Sequence, residues 1–301
     1  MNTLLQGNAL FALAAAVLWG GGDFCGGMGV KSSGGDLRAA LRVVLLSHIT
    51  SFSVLVAIAR MRGDAFPHGA LLAWGVAAGV AGGLALTCFY LALSRGAMGA
   101  SAALSGLLAA AIPATLTLWR EGSPGGLTLL GFAVAGMAIW LIAGGAADRA
   151  GREPSRQAAQ QTMTLAMLAG VGFGFYFVAL KMAGPAGIVW PMATARIGSL
   201  TTCGLIFLAL RLRSAKTAGS HLAMKRSTVA WALATALLDT SGNLLFISAT
   251  RAGRLDVAAV LASLYPASTI LLAALALGER PTRRQALGMG AALAAVALIA
   301  L

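Results

Sequence analysis

The chain has 301 residues, of which 58% are hydrophobic and 10% charged, with a mean hydropathy of +0.84. Soluble domains average about 25% charged residues, and a soluble chain this apolar would expose patches that aggregate, so the bilayer is the solvent that suits it. The net charge of +13 does not point to nucleic acid, because the 22 Lys and Arg punctuate apolar runs instead of forming one basic face or tail.

A helix needs about 20 mostly apolar residues to cross the hydrocarbon core. Reading between charges and Pro/Gly clusters gives ten spans: 7–30, 37–60, 69–93, 97–119, 125–146, 162–182, 187–211, 228–249, 254–277 and 283–301. The runs are long and Ala/Leu-rich without alternation, which argues against strands. The first run, MNTLLQGNALFALAAAVLW, lacks a basic leading region and is expected to be a retained helix, not a cleaved signal. The expected fold class is an all-α membrane protein with ten transmembrane helices. Short connections such as 94–97 and 120–124 make neighbouring helices antiparallel hairpins. The connections at 147–161 and 211–227 are longer and polar, and the first divides the spans five and five.

The two halves are alike. FYLALSRG at 89–96 matches FISATRAG at 246–253. Each is followed by a small-residue helix ending in an acid, Glu121 in WREGSP and Glu279 in GERPTRR, and then by a Gly-bearing last helix with Gly131 corresponding to Gly288. Arg42 and Arg196 lie early in the second span of each half. Five is odd, so the second copy enters the membrane inverted, which is the architecture expected of alternating access. The expected organisation is a first five-helix repeat at 1–146, a polar linker at 147–161 and a second repeat at 162–301.

With LWGGGDF at 18–24, Arg42, LALSRG, ISATRAG, LASLYPA at 261–267 and GERPT at 278–282 in this order, the chain resembles the EamA-type members of the drug/metabolite transporter superfamily. The resemblance covers nearly the whole chain. It implies a ten-helix bundle around a central cavity in a bacterial inner membrane, exporting or exchanging small metabolites. It names no substrate, since relatives handle amino acids, nucleotide sugars, sugar phosphates and drugs. The first repeat departs from the pattern, with WREGSP where the second reads GERPT.

Charge at membrane depth needs a partner or a water-filled path. Asp23 lies two-thirds along the first span, with Trp19 four residues earlier on the same helical face. Asp239 lies mid-way in the eighth span, and Thr235, Asn243 and Phe246 extend one stripe from it. Such a stripe suits a small zwitterion or cation; the plain alternative is interhelical pairing of the acids with Arg42 or Arg196. Those arginines either snorkel to the interface or hold a carboxylate or phosphate in the cavity. Phe173 and Tyr176 in the sixth span and Tyr265 in the ninth complete an expected lining of Trp19, Phe173, Tyr176, Asn243, Phe246 and Tyr265. The first, third, fourth, sixth, eighth and ninth spans are expected to form the cavity. Pro113 and Pro266 interrupt the backbone ladder of paired helices and are hinge candidates.

Cys25, Cys88 and Cys203 have no paired spacing, and His48, His68 and His221 build no metal motif, so no cofactor is expected. The expected partners are a small-molecule substrate, protons as a candidate coupling ion and the lipid bilayer, with no nucleic acid, in a monomer or homodimer. The rival classes are a membrane-embedded enzyme and a passive channel or structural subunit. The loops after odd-numbered spans carry most of the Lys and Arg, which places both termini outside, whereas the family resemblance implies cytoplasmic termini.

Overall fold

The computed structural model describes residues 2–95, 98–147, 156–214, 224–277 and 282–300. Among them are eleven α-helices and no strand: α1 (Asn2–Ser32), α2 (Leu37–Arg62), α3 (Gly69–Arg95), α4 (Met98–Glu121), α5 (Gly126–Ala147), α6 (Arg156–Ala183), α7 (Val189–Ser214), α8 (Arg226–Ala252), α9 (Leu255–Ala262), α10 (Tyr265–Leu277) and α11 (Arg283–Ala300). A single 3-10 turn at Gly184–Ala186 joins α6 to α7. Eight described helical stretches are long and apolar enough to cross a membrane, in α1–α4, α6–α8 and Leu255–Leu272. Of the ten expected spans, α5 contributes the shorter apolar stretch Gly126–Ile142, and the 18-residue α11 begins with Arg283 and Arg284.

Local chemistry explains where helices begin and end. The Asp36 carboxylate caps α2 by accepting from the Ala39 N–H at 2.7 Å, and Gly63 ends it with φ of 70°, a left-handed conformation that glycine adopts freely. Basic residues occupy the last turns of seven helices, among them Lys31, Arg95, Arg120, Lys181 and Arg251, where they meet the negative end of the helix dipole. The break in the ninth expected span has a covalent cause. Pro266 has no N–H to give the Ala262 carbonyl, and the chain turns at Ser263 and Leu264 before α10. Pro113, by contrast, sits inside a continuous α4.

Small residues set the packing. α3 lies against α7 nearly backbone to backbone: a Cβ on Gly79 would fall 1.7 Å from the Ala195 carbonyl oxygen, and one on Gly198 2.1 Å from that of Val76. Without a hydrophobic force between helices in lipid, such close approach supplies the van der Waals contact that holds them. Large apolar side chains such as Leu10, Val17, Trp140, Leu237 and Leu293 point outward, as lipid requires.

The helix contacts have a regular pattern. α1 packs along α8 and α3 along α6; α2 meets α8 and α3 meets α7; α4 meets α6, and α1 meets both α9 and α10. Exchanging α1 with α6, α2 with α7, α3 with α8 and α4 with α9–α10 maps each of these pairs onto its counterpart. The α2–α7 contact maps onto itself, as does the α5–α11 contact when those two helices are exchanged.

Candidate functional site

A cavity of about 50 Å³ lies between the helices, lined from α1 by Trp19 and Asp23, from α2 by His48, from α3 by Gly79, Gly82, Gly83 and Leu86, from α6 by Phe173, Tyr176 and Phe177, from α7 by Ala195, Arg196 and Ser199, from α8 by Asp239 and Asn243, and from α10 by Tyr265. That volume has room for a few water molecules.

Arg196 is the hub of its polar wall. Its side chain is 5% exposed. Nη2 donates to Asp239 Oδ2 at 2.5 Å, Nε to Ser51 Oγ at 3.0 Å, and Nη1 faces His48 Nε2 at 2.8 Å. A guanidinium has only donors, so His48 Nε2 must be the acceptor and the imidazole proton sits on Nδ1. Nδ1–H then donates to Ser199 Oγ at 2.7 Å, and the Ser199 hydroxyl donates to the Arg196 carbonyl at 3.1 Å. His48 is therefore neutral, and every polar atom in this arm has a partner. Thr240 Oγ1 donates to Ser51 Oγ at 2.7 Å and closes the ring from α8 back to α2.

The second arm runs to α6. Asn243 Nδ2 donates to Asp239 Oδ1 at 3.0 Å and to the Asp239 carbonyl at 2.7 Å, leaving its own oxygen free to accept from the Tyr176 hydroxyl at 2.6 Å. One connected chain of hydrogen bonds thus runs Tyr176–Asn243–Asp239–Arg196–His48–Ser199, across α6, α8, α7 and α2.

Asp23 stands apart. It is buried on the cavity wall, yet no described donor bonds its carboxyl. The Tyr90 hydroxyl, fully buried beside Gly26 one turn further along α1, also has no partner among the described residues. The aromatic wall is tight: Trp19 stacks on Phe177 at 5.3 Å with an interplanar angle of 5°, and Phe89 meets both Phe173 and Tyr265 edge-on. The Tyr265 hydroxyl bonds Ser105 Oγ at 2.5 Å, tying α10 to α4.

Several expectations need correction. Phe246 does not line the cavity; it is fully buried behind it, 4.5 Å from Phe177 and 5.4 Å from Trp19, because its turn of α8 faces the aromatic stack. Arg42 is not at the cavity either. It lies half-buried over the Phe207 ring at 5.9 Å, so it serves α2–α7 packing while Arg196 alone supplies the cavity guanidinium. α4 gives no lining residue, whereas α2 and α7 do. His48, Ser51, Ser199 and Thr240 were not singled out in the sequence as site residues. The polar stripe Ser47, His48, Ser51 on α2 was the available signal.

Towards the N-terminal end of α1 a second polar cluster closes the bundle. Arg254 bonds the fully buried Asp256 at 2.8 Å, donates to the Gly122 carbonyl and pairs with Glu121 at 3.9 Å. Lys181 donates to the Thr250 carbonyl, and Arg251 to the Gly184 carbonyl, satisfying helix-end groups. Glu279, the expected counterpart of Glu121, lies outside the described residues. Among the described residues no three His, Cys, Asp or Glu side chains come together as a metal site.

No curated protein matches the chain. A solved structure described only as the crystal structure of a protein matches with a TM-score of 0.68 over 97% of this chain and 95% of its own, at 16% identity, a likeness of fold. Residues 160–301 match the EamA-like transporter family. The second half of the chain is thus an EamA-like domain, which supports assigning the chain to the EamA-type members of the drug/metabolite transporter superfamily, and the described helices make it a multi-pass membrane protein.

Proposed function

We propose that the chain is a secondary active transporter, an exporter or exchanger of small metabolites such as amino acids or related amphipathic solutes, working by alternating access. The observation that carries this reading is the cavity walled by helices of both halves, with a guanidinium, two carboxyls and aromatic rings converging on it. Such a site orients a small amphipathic solute with few polar groups against an apolar wall. The cavity as it stands takes water only, so admitting a solute requires the lining helices to part.

The supporting architecture is two five-helix repeats, 1–146 and 162–301, joined by a linker at 147–161 and inverted in a ten-span bundle. The helix contacts that exchange into one another support this pairing. The breaks at Pro266 and the proline within α4 at Pro113 are then hinges at equivalent places. On this reading the protein sits in a bacterial inner membrane, and the loop charges favour termini on the outer side.

A hydrolase fits the cavity poorly, because the ring nitrogen of His48 that a base would use accepts from Arg196. The test is solute flux into proteoliposomes holding the purified chain, run with a panel of amino acids and amines, with and without a pH gradient. Saturable flux of at least one compound is expected; no flux above empty vesicles for the whole panel overturns the reading.

A further inference from the structure

A second cavity, of about 390 Å³, opens between the ends of α4 and α6, outside the site described above. Glycines set the spacing of these helices. A Cβ on Gly170 would fall 2.7 Å from Leu108, and one on Gly174 2.7 Å from Ile112, so the backbones nearly touch there. Both partners advance by four residues, so the two helices run parallel. One turn further on, α6 carries Val178 and then Lys181 and Met182 in place of glycine, and the space between them and Leu116 and Arg120 of α4 is the cavity. Its apolar part lies towards the middle of the spans, and its charged part lies at the last turns, where the two apolar spans end at Glu121 and Ala186. Trp119 beside the mouth is 83% exposed, as suits the boundary between lipid tails and headgroups. Around that mouth four cations, Arg120, Lys181, Arg251 and Arg254, meet two carboxylates, Glu121 and Asp256. Arg254 takes both acids, Lys181 and Arg251 donate to uncharged carbonyls, and Arg120 has no partner among the described residues.

We propose that this cavity binds one anionic phospholipid of the surrounding bilayer, with the lipid phosphate between Arg120 and Lys181 and the start of an acyl chain along Leu116, Val178 and Met182. The volume is that of a small-ligand pocket. Two features select the lipid. A basic pocket between helix ends at headgroup depth attracts an anionic headgroup, whereas a zwitterionic one brings no net charge to a mouth where cations outnumber carboxylates. The Arg120 guanidinium offers a planar fork of donors to phosphate oxygens, and the Lys181 ammonium adds a point charge beside it. A free phosphate would satisfy the cations alone and leave the half-buried Leu116, Val178 and Met182 uncovered. An acyl chain covers them and is available at this depth, since the flanking Trp119 and Phe175 are exposed. Leu255, the first residue of α9, also lines the cavity, so the bound lipid ties α4, α6 and α9 together. The site stands whether or not the chain is a transporter.

The experiment is native mass spectrometry of the purified, delipidated full chain in a nonionic detergent, titrated separately with dioleoylphosphatidylglycerol, dioleoylphosphatidylcholine and inorganic phosphate. The first phosphatidylglycerol molecule is expected to bind at least about fivefold more tightly than the first phosphatidylcholine. Arg120→Ala should weaken phosphatidylglycerol about fivefold, the effect of one basic residue at headgroup level, and leave phosphatidylcholine unchanged. Arg120→Lys should recover most of that loss. Arg60→Ala removes an exposed charge outside the cavity and should change nothing. Val178→Trp fills the apolar part with every charge kept and should abolish the preference for phosphatidylglycerol. Should that variant not fold, Arg120→Ala at its exposed position decides. Equal binding of the two lipids, or equal effects of Arg120→Ala and Arg60→Ala, overturns the site. Inorganic phosphate bound as tightly as phosphatidylglycerol marks a free-anion site and overturns the lipid. None of these readouts uses solute flux, so their failure leaves the transporter reading standing.

Discussion

His48 Nε2 and Arg196 Nη1 lie 2.8 Å apart, and because only the imidazole can accept, this contact sets the protonation state of the histidine. A neutral His48 has no part in the pH dependence of transport. His48→Gln, which offers an acceptor oxygen in the same region, should leave the pH profile unmoved. His48→Ala leaves Nη1 without a partner and should cost about 1–3 kcal/mol in stability. Flux against pH, together with thermal unfolding, checks both.

Arg196 and Asp239 form a buried pair, with side chains 5% and 15% exposed. Removing one partner strands the other charge, so Arg196→Met and Asp239→Asn should each destabilise by about 3–5 kcal/mol. The double variant should be less damaging than the sum of the two. A double-mutant cycle on thermal unfolding reads the difference, and strict additivity would show that the pair is not coupled.

The α3–α7 seam should tolerate no side chain at its centre. Gly79→Ala drives a Cβ into the Ala195 carbonyl, and relief requires backbone movement. Loss of folded protein on size exclusion is expected. Gly290→Ala, on α11 with nothing within 4 Å, should be neutral or slightly stabilising.

These residues also show what the sequence could reveal. Helix ends were legible because apolar length and the charges and Pro/Gly clusters that interrupt it are local signals. The break after Ala262 was signalled by Pro266, and Asp23, Asp239 and Asn243 by the cost of polarity at depth. Which face a residue presents was harder. Arg42 and Arg196 occupy matching places in their spans, yet one lies over Phe207 and the other fills the cavity. That outcome depends on how α2 and α7 rotate against each other, a tertiary relationship that no local signal carries. His48 was hidden for the same reason, since its ligand lies 148 residues away.

Arg42 supplies a direct contrast. Arg42→Gln should leave solute affinity within about twofold, because among the described residues its guanidinium lies over the Phe207 ring, away from the cavity, and contributes about 0.5–1 kcal/mol of stability. Arg196→Gln should abolish binding. Equal loss in both variants would place Arg42 at the cavity after all.

The most direct measurement of alternating access is counterflow. Proteoliposomes holding the purified chain are loaded with an unlabelled solute from the amine and amino-acid panel and diluted into the same compound labelled at trace level. A single cavity that opens to one side at a time returns loaded and exchanges, so labelled solute should accumulate transiently above its equilibrium level, faster than in unloaded vesicles. Labelled entry that ignores the internal load and rises linearly with concentration would contradict a carrier built on this cavity.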